Sequence, residues 1–164
     1  MKAPIVVRDA VSGDLPAVAD LVVRCYVDEG FIDPASPYVH ELKDVQARAR
    51  DAEVLVASAG DDVVGTVTFC RAGTPWAEVC APGEAEFRML AVAADQRRGG
   101  VGRSLVEACL ARARDLGAVR LVMSTTPGMV LAHRLYEQMG FVRLPERDWH
   151  PRPEVGLLVY GRDL

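Results

Sequence analysis

Three arginines and three glycines are crowded into the stretch Leu90-Ala91-Val92-Ala93-Ala94-Asp95-Gln96-Arg97-Arg98-Gly99-Gly100-Val101-Gly102-Arg103-Ser104, where an apolar strand pattern runs into a helical one. Gly99, Gly100 and Gly102 let backbone N–H groups come close to an anion. A helix beginning there adds partial positive charge, and Arg97, Arg98 and Arg103 offer bidentate contacts to phosphate oxygens. In outline this is a cradle for a diphosphate; a merely flexible glycine-rich connection is the alternative. It is not a nucleoside-triphosphate loop, because no Gly-Lys-Ser/Thr closes it. Nor is it the dinucleotide fingerprint: after Gly100 and Gly102 the third glycine would fall at Leu105, and the strand before it is not the first of the chain.

The elements that must hold this turn follow from periodicity. Ile5 to Arg8 is a short strand. Ser12-Gly13-Asp14 turns the chain, and Asp14 is placed to cap a helix over Leu15 to Val27 whose Val18, Leu21, Val22 and Cys25 share one face. Glu29 to Tyr38 reads as a loop, and His40 to Ala52 as a second, more polar helix. Glu53 to Ala59 and Val63 to Arg71 form a hairpin around Gly60-Asp61-Asp62, and a loop follows to Gly83. Strict alternation along Glu84 to Val92 puts Glu84, Glu86, Arg88, Leu90 and Val92 on one face and Ala85, Phe87, Met89 and Ala91 on the other. A helix from Gly102 to Leu116 turns Leu105, Val106, Cys109, Ala113 and Leu116 inward and stops at Gly117. Strand Val119 to Ser124, helix Val130 to Met139, a rigid polar loop Pro145 to Pro151 and strand Val155 to Tyr160 complete the chain. An early antiparallel hairpin followed by a β-α-β unit predicts a mixed-sheet α/β or α+β layer fold.

At 164 residues the chain is the size of one domain, 1–164, with a core that needs neither disulfide nor metal. A net charge of −4 excludes a broad basic surface for nucleic acid, so phosphate recognition has to be local. Cys25, Cys70, Cys80 and Cys109 lack metal or redox spacing and read as free thiols. Asp9 and Asp14 interrupt the N-terminus too early for a secretory leader, and no apolar run is long enough for a membrane span. A cytoplasmic location with no membrane partner is the expectation.

Arg97, Gly100 and Gly102 match the Arg/Gln-x-x-Gly-x-Gly/Ala signature of the GNAT superfamily of acetyl-CoA-dependent N-acetyltransferases, which the sequence resembles. Leu90-Ala91-Val92 is similar to the end of that family's fourth strand. The run from Ala132 to Phe141, with Leu135, Tyr136, Gly140 and Phe141, resembles its Ala-x-x-Leu-Tyr-x-x-x-Gly-Phe element. The likeness is strongest from Glu84 to Phe141. It departs from the pattern at Arg98, where glycine is common, at Gly99, where a basic residue is common, and at Met129, which replaces a frequent asparagine.

The resemblance implies a mostly antiparallel central sheet flanked by helices, with the fourth and fifth strands splayed apart. Coenzyme A would be held by the backbone from Arg98 through Gly99, Gly100, Val101 and Gly102 to Arg103, next to Ser104, with Arg97, Arg98 and Arg103 as charge partners. Its pantetheine arm would lie along Leu90, Ala91 and Val92. Glu86 corresponds in offset to the catalytic glutamate of the histone-acetyltransferase branch and is the expected base, with Glu84 in reserve. A solvated strand carboxylate, or one paired with Arg88, is the other reading. Tyr136 is the expected proton donor to the departing thiolate; His133, on the same helical face, reads as a surface or core residue rather than a catalytic one. Glu29, Phe31, Tyr38 and Trp149 are candidates to shape the acceptor site. The implied reaction is acetyl transfer from acetyl-CoA to a small-molecule amine, without metal. A protein or peptide N-terminus or lysine, and a non-catalytic acyl-CoA sensor, are the competing readings. Homodimerisation is a tendency of the family.

Overall fold

Two β-branched runs, Glu53–Ala59 (β2) and Asp62–Arg71 (β3), pair antiparallel across Gly60 and Asp61, and Gly60 takes the left-handed conformation the tight turn needs. The computed structural model describes residues 2–164. Ile5–Asp9 (β1) pairs with β2, and Glu84–Val92 (β4) with β3, both antiparallel. Arg120–Thr125 (β5) lies parallel to β4. Beyond it come Val155–Asp163 (β8) and Val142–Arg143 (β6), with Trp149–Arg152 (β7) also paired to β8. The parallel β4–β5 pair is the junction in an otherwise antiparallel sheet.

Both faces of the sheet are covered. On one lies helix Val101–Asp115 (α4), with Leu105, Val106, Cys109 and Ala113 fully buried against Phe69, Phe87 and Leu121. Gly65 on β3 permits this approach, since a Cβ there would stand 2.8 Å from Val101 Cγ1 and 3.0 Å from Leu105 Cδ1. Helix Val130–Gln138 (α5) packs on the same side through Tyr136. On the opposite face lie Leu15–Val23 (α1), Tyr38–Lys43 (α2) and Val45–Asp51 (α3), which bury Val18, Leu21, Val22, Leu42 and Val45.

Several expectations change here. Leu116 is not inward: it follows the last turn of α4 and is 43% exposed. The helix expected over His40 to Ala52 is two helices, broken at Asp44, whose carboxylate accepts from Ala47 N–H at 3.3 Å and so caps the second. Asp14 does not cap α1 with its side chain. It reaches back instead to Val11 N–H at 2.8 Å and to Arg8 at 2.7 Å. The α-helix ends at Val23, and Arg24–Asp28 continues as a wide π-turn, which aims Tyr26 at β4. The loop expected over 145–151 is a short helical turn followed by β7.

The alternation predicted for β4 also fails halfway. Thr66 and Thr68 of β3 face Ala91 and Arg88, so β4 carries one extra residue between them, and Met89 there has φ +55°. This is a β-bulge. Ala85 and Phe87 face α4, but past the bulge Leu90 and Val92 do, while Met89 and Ala91 join the α1–α2 side.

Candidate active site

The turn that opens α4 has the backbone geometry of an anion cradle. Gly100 has φ +84° and Arg98 φ +64°, both left-handed, so successive peptide N–H groups are turned toward one side. Ser104 N–H makes a helical bond to Gly100 O, and the N–H groups of Val101, Gly102 and Arg103 precede it at the positive end of the helix. Gly102 lies where α4 approaches α5; a Cβ there would be 3.2 Å from Leu135 Cδ2. Arg98 and Arg103 have no ion-pair or hydrogen-bond partner for their side chains among the described residues. Arg97 differs. Its guanidinium is locked against the Glu29 carboxylate, and its Nε donates to Val92 O at 3.1 Å. Arg97, expected as a cation for phosphate, and Glu29, expected at the acceptor site, are therefore paired with each other. Their pairing fastens the π-turn after α1 to the loop before α4, and the Arg97 contact holds Glu29 below the usual carboxylate range.

β4 and β5 are paired only from Glu84↔Arg120 to Glu86↔Val122, although both strands continue. Beyond that point they diverge, which leaves the edge of β4 without a strand neighbour. A cavity of about 340 Å³ fills the gap, within the range of small-molecule sites. Leu90, Met123, Ser124 and Tyr136 line its inner part, Tyr26, Tyr38, Glu78 and Arg88 one side, and Arg152, Val155 and Leu157 from the β7–β8 hairpin another. Tyr26 fixes the wall by donating from its hydroxyl to Leu90 O at 2.9 Å.

Tyr136 is only 4% exposed, held edge-on by Phe87 and Phe141, and its hydroxyl has no hydrogen-bond partner among the described residues. Burial pushes its phenol well above the ordinary tyrosine range, so it keeps its proton. His133 is occupied with Thr126 O at 3.0 Å and stacks near Tyr160, in keeping with a packing role.

Arg88 organises the charge on the cavity side. It meets Glu78 at 2.8 Å, Glu41 at 3.6 Å, the Trp76 carbonyl at 2.9 Å and the Tyr38 hydroxyl at 3.3 Å. Partial desolvation raises the Glu78 carboxyl above the usual range despite Arg88 beside it, while its side chain stays 29% exposed. Glu86 is placed differently. It is 0% exposed and does not line the cavity; its Oε1 accepts from the backbone N–H groups of Glu78, Val79 and Cys80 at 2.9, 2.8 and 3.1 Å. The residue expected as base thus fastens the loop that carries Glu78. Glu84, the reserve, is bound by Arg147 at 2.8 Å.

Of the four acceptor-site candidates only Tyr38 lines the cavity. Phe31 is 37% exposed and packs toward Gly128, while Ile32 beside it faces in. Trp149 starts β7 opposite Leu157 with its indole N–H enclosed, and pins the hairpin. Glu78, Glu41, Tyr26, Ser124 and Arg152 escaped sequence reasoning. Only Tyr26 left a local trace, since it follows the inward Val22 by one helical turn.

Residues 15–141 match the profile of the acetyltransferase (GNAT) family. An acetyltransferase of the GNAT family from Staphylococcus aureus Mu50 superposes with TM-score 0.77 at 14% identity, over 98% of this chain and 99% of that one. A GCN5-related N-acetyltransferase from Kribbella flavida is 27% identical with TM-score 0.70, over 98% of each chain. The protein yncA of Salmonella typhimurium, solved with its cofactor acetyl-CoA, gives TM-score 0.70 at 20% identity, over 98% of this chain and 94% of that one. No curated protein gives a significant match to the sequence.

Proposed function

Because the chain belongs to the acetyltransferase (GNAT) family, we propose that it transfers the acetyl group of acetyl-CoA to the primary amine of a small molecule, by direct attack in a ternary complex. The observation that carries this reading is the continuity of the site: the splayed edge of β4 runs from a cavity with Tyr136 on its wall toward the glycine turn.

The residues present fit coenzyme A. The N–H groups from Arg98 to Arg103 suit its diphosphate, Arg98 and Arg103 are available as counter-charges, and the open edge at Leu90 to Val92 suits the pantetheine arm as an added strand. Acetyl-CoA supplies an activated acyl group and a thiol of pKa about 8.5 as the leaving group. The chain's own groups do the rest. An alkyl ammonium, with a pKa of about 10, must lose a proton before it can attack. Glu78 faces the cavity with a raised pKa and is the carboxylate best placed to accept it, directly or through water. Backbone N–H groups at Leu90 to Val92 polarise the acyl carbonyl. Tyr136, kept neutral by burial, gives its hydroxyl proton to the departing thiolate and regains one from the newly acylated nitrogen, which must shed its extra proton.

A cavity walled by Tyr38 and by the β7–β8 hairpin favours a metabolite over a polypeptide, which would need an open groove. The test is thiol release from acetyl-CoA offered with a panel of small amines and of peptides. Turnover with small amines is expected. Turnover with peptides alone would overturn the acceptor class, and binding of acetyl-CoA without turnover on any amine would make the domain a sensor.

A further inference from the structure

Four charged side chains line the cavity, Glu41, Glu78, Arg88 and Arg152, and they are not balanced locally. Both carboxylates are drawn to Arg88, at 2.8 and 3.6 Å, which leaves that side with a surplus of negative charge. Arg152, on the hairpin side, has no carboxylate within 4.0 Å among the described residues; even Glu154, two positions on, does not pair with it. Its Nη1 donates to Ser36 Oγ at 3.0 Å, and its other N–H groups have no protein partner there. The position is well defined: Arg152 is paired with Val155 at the closed end of the hairpin, and Ser36 Oγ is itself fixed by Tyr38 N–H at 3.2 Å. The same cavity wall includes the apolar Ile32, Met129, Val155 and Leu157. A guanidinium against such a wall gains most from an anion that it can bind with its planar fork.

Resting on the acetyltransferase reading above, we infer that the acceptor is an amine that also carries a carboxylate, an amino-acid-like zwitterion whose carboxylate docks on Arg152 and Ser36 while its ammonium faces Glu78. A carboxylate fits better than a phosphate, because a single uncompensated guanidinium matches one negative charge. Arg152 then acts as a specificity residue, and the distance between the two charges of the acceptor selects its length.

The experiment compares kcat/KM of the wild type for α- and ω-amino acids with that for the matching carboxamides, in a thiol-release assay with acetyl-CoA. The same pairs are then run with Arg152→Gln and Arg152→Lys. The wild type should prefer the carboxylate form of its best acceptor by about tenfold or more, the scale of one charge-assisted contact. Arg152→Gln should abolish that preference through a raised KM, and Arg152→Lys should restore part of it, with acetyl-CoA affinity by calorimetry as the check on folding. Equal use of acid and carboxamide by the wild type, or an equal loss on both in Arg152→Gln, overturns the inference and leaves the acetyltransferase intact. Absence of thiol release with every amine overturns both.

Discussion

On the proposed reading, the turn at Arg97–Ser104 and the cavity beyond β4 solve two recognition problems in opposite ways. The turn is built from neighbours in sequence and works through main-chain geometry: left-handed dihedrals at Arg98 and Gly100 and the first N–H groups of α4. The cavity is assembled from side chains of the π-turn, α2, the loop before β4, β4, β5, α5 and the β7–β8 hairpin. A ligand common to a family can be held by backbone N–H groups, once glycines allow the turn that aims them. A ligand particular to one member has to be read by side chains, and those come from wherever the fold brings them together.

This contrast can be attacked from either side. The largest effect is expected at the turn. Gly102→Glu places bulk and negative charge at the helix N-terminus, where the Cβ is already 3.2 Å from Leu135. Acetyl-CoA affinity by calorimetry should fall by about 100-fold or more, with the circular dichroism spectrum retained. Gly100→Ala, strained at φ +84° by about 1–2 kcal/mol, should weaken binding less. Unchanged affinity in both would show that the backbone is not the cradle.

Next comes the cavity's own chemistry. Tyr136→Phe should lower kcat by about 10–100-fold, the span of a general acid, while acetyl-CoA affinity stays within about twofold. An equal loss of affinity would reduce Tyr136 to packing.

Glu78→Gln and Glu86→Gln then separate the two carboxylates. Partial desolvation raises Glu78, so its base form fills at a pH above the usual carboxylate range, and the rate of the wild type should rise through that higher interval. Glu78→Gln should lose this lower limb of the pH–rate profile and about tenfold in rate. Glu86→Gln should keep the limb but lower stability by about 1–3 kcal/mol, because it disturbs three N–H contacts to one oxygen of a buried carboxylate. A limb lost in Glu86→Gln alone would restore Glu86 as the base.

The smallest change is expected where the two regions touch. Arg97→Ala frees Glu29 and should raise KM for acetyl-CoA by about two- to threefold, in line with a surface ion pair of about 0.2–1 kcal/mol. A much larger loss would mean that Arg97 leaves Glu29 to meet the phosphate.

What could be read from the sequence follows the same division. The hairpin, the glycine turn and the apolar face of α4 are legible because each depends on residues a few positions apart; the tyrosine on α5 rests on the resemblance to the family's motif. The face assignment of β4 failed at Met89, since one inserted residue reverses the alternation and only pairing with β3 reveals it. Glu86 looked like a base because its offset along the strand was right. Its burial beneath residues 78–80 depends on how a loop folds back, which strand spacing cannot show.

By itself, then, the sequence determined a mixed α/β chain with one diphosphate-like turn on an otherwise acidic background, because backbone dihedrals and amphipathic faces are local properties. Only the tertiary structure decided which carboxylates meet Arg88, that Arg97 is already taken by Glu29, and that Arg152 stands without a counter-charge among the described residues. Those outcomes depend on the bulge, the π-turn and the divergence of β4 from β5, where packing between distant segments sets which side chains share a space.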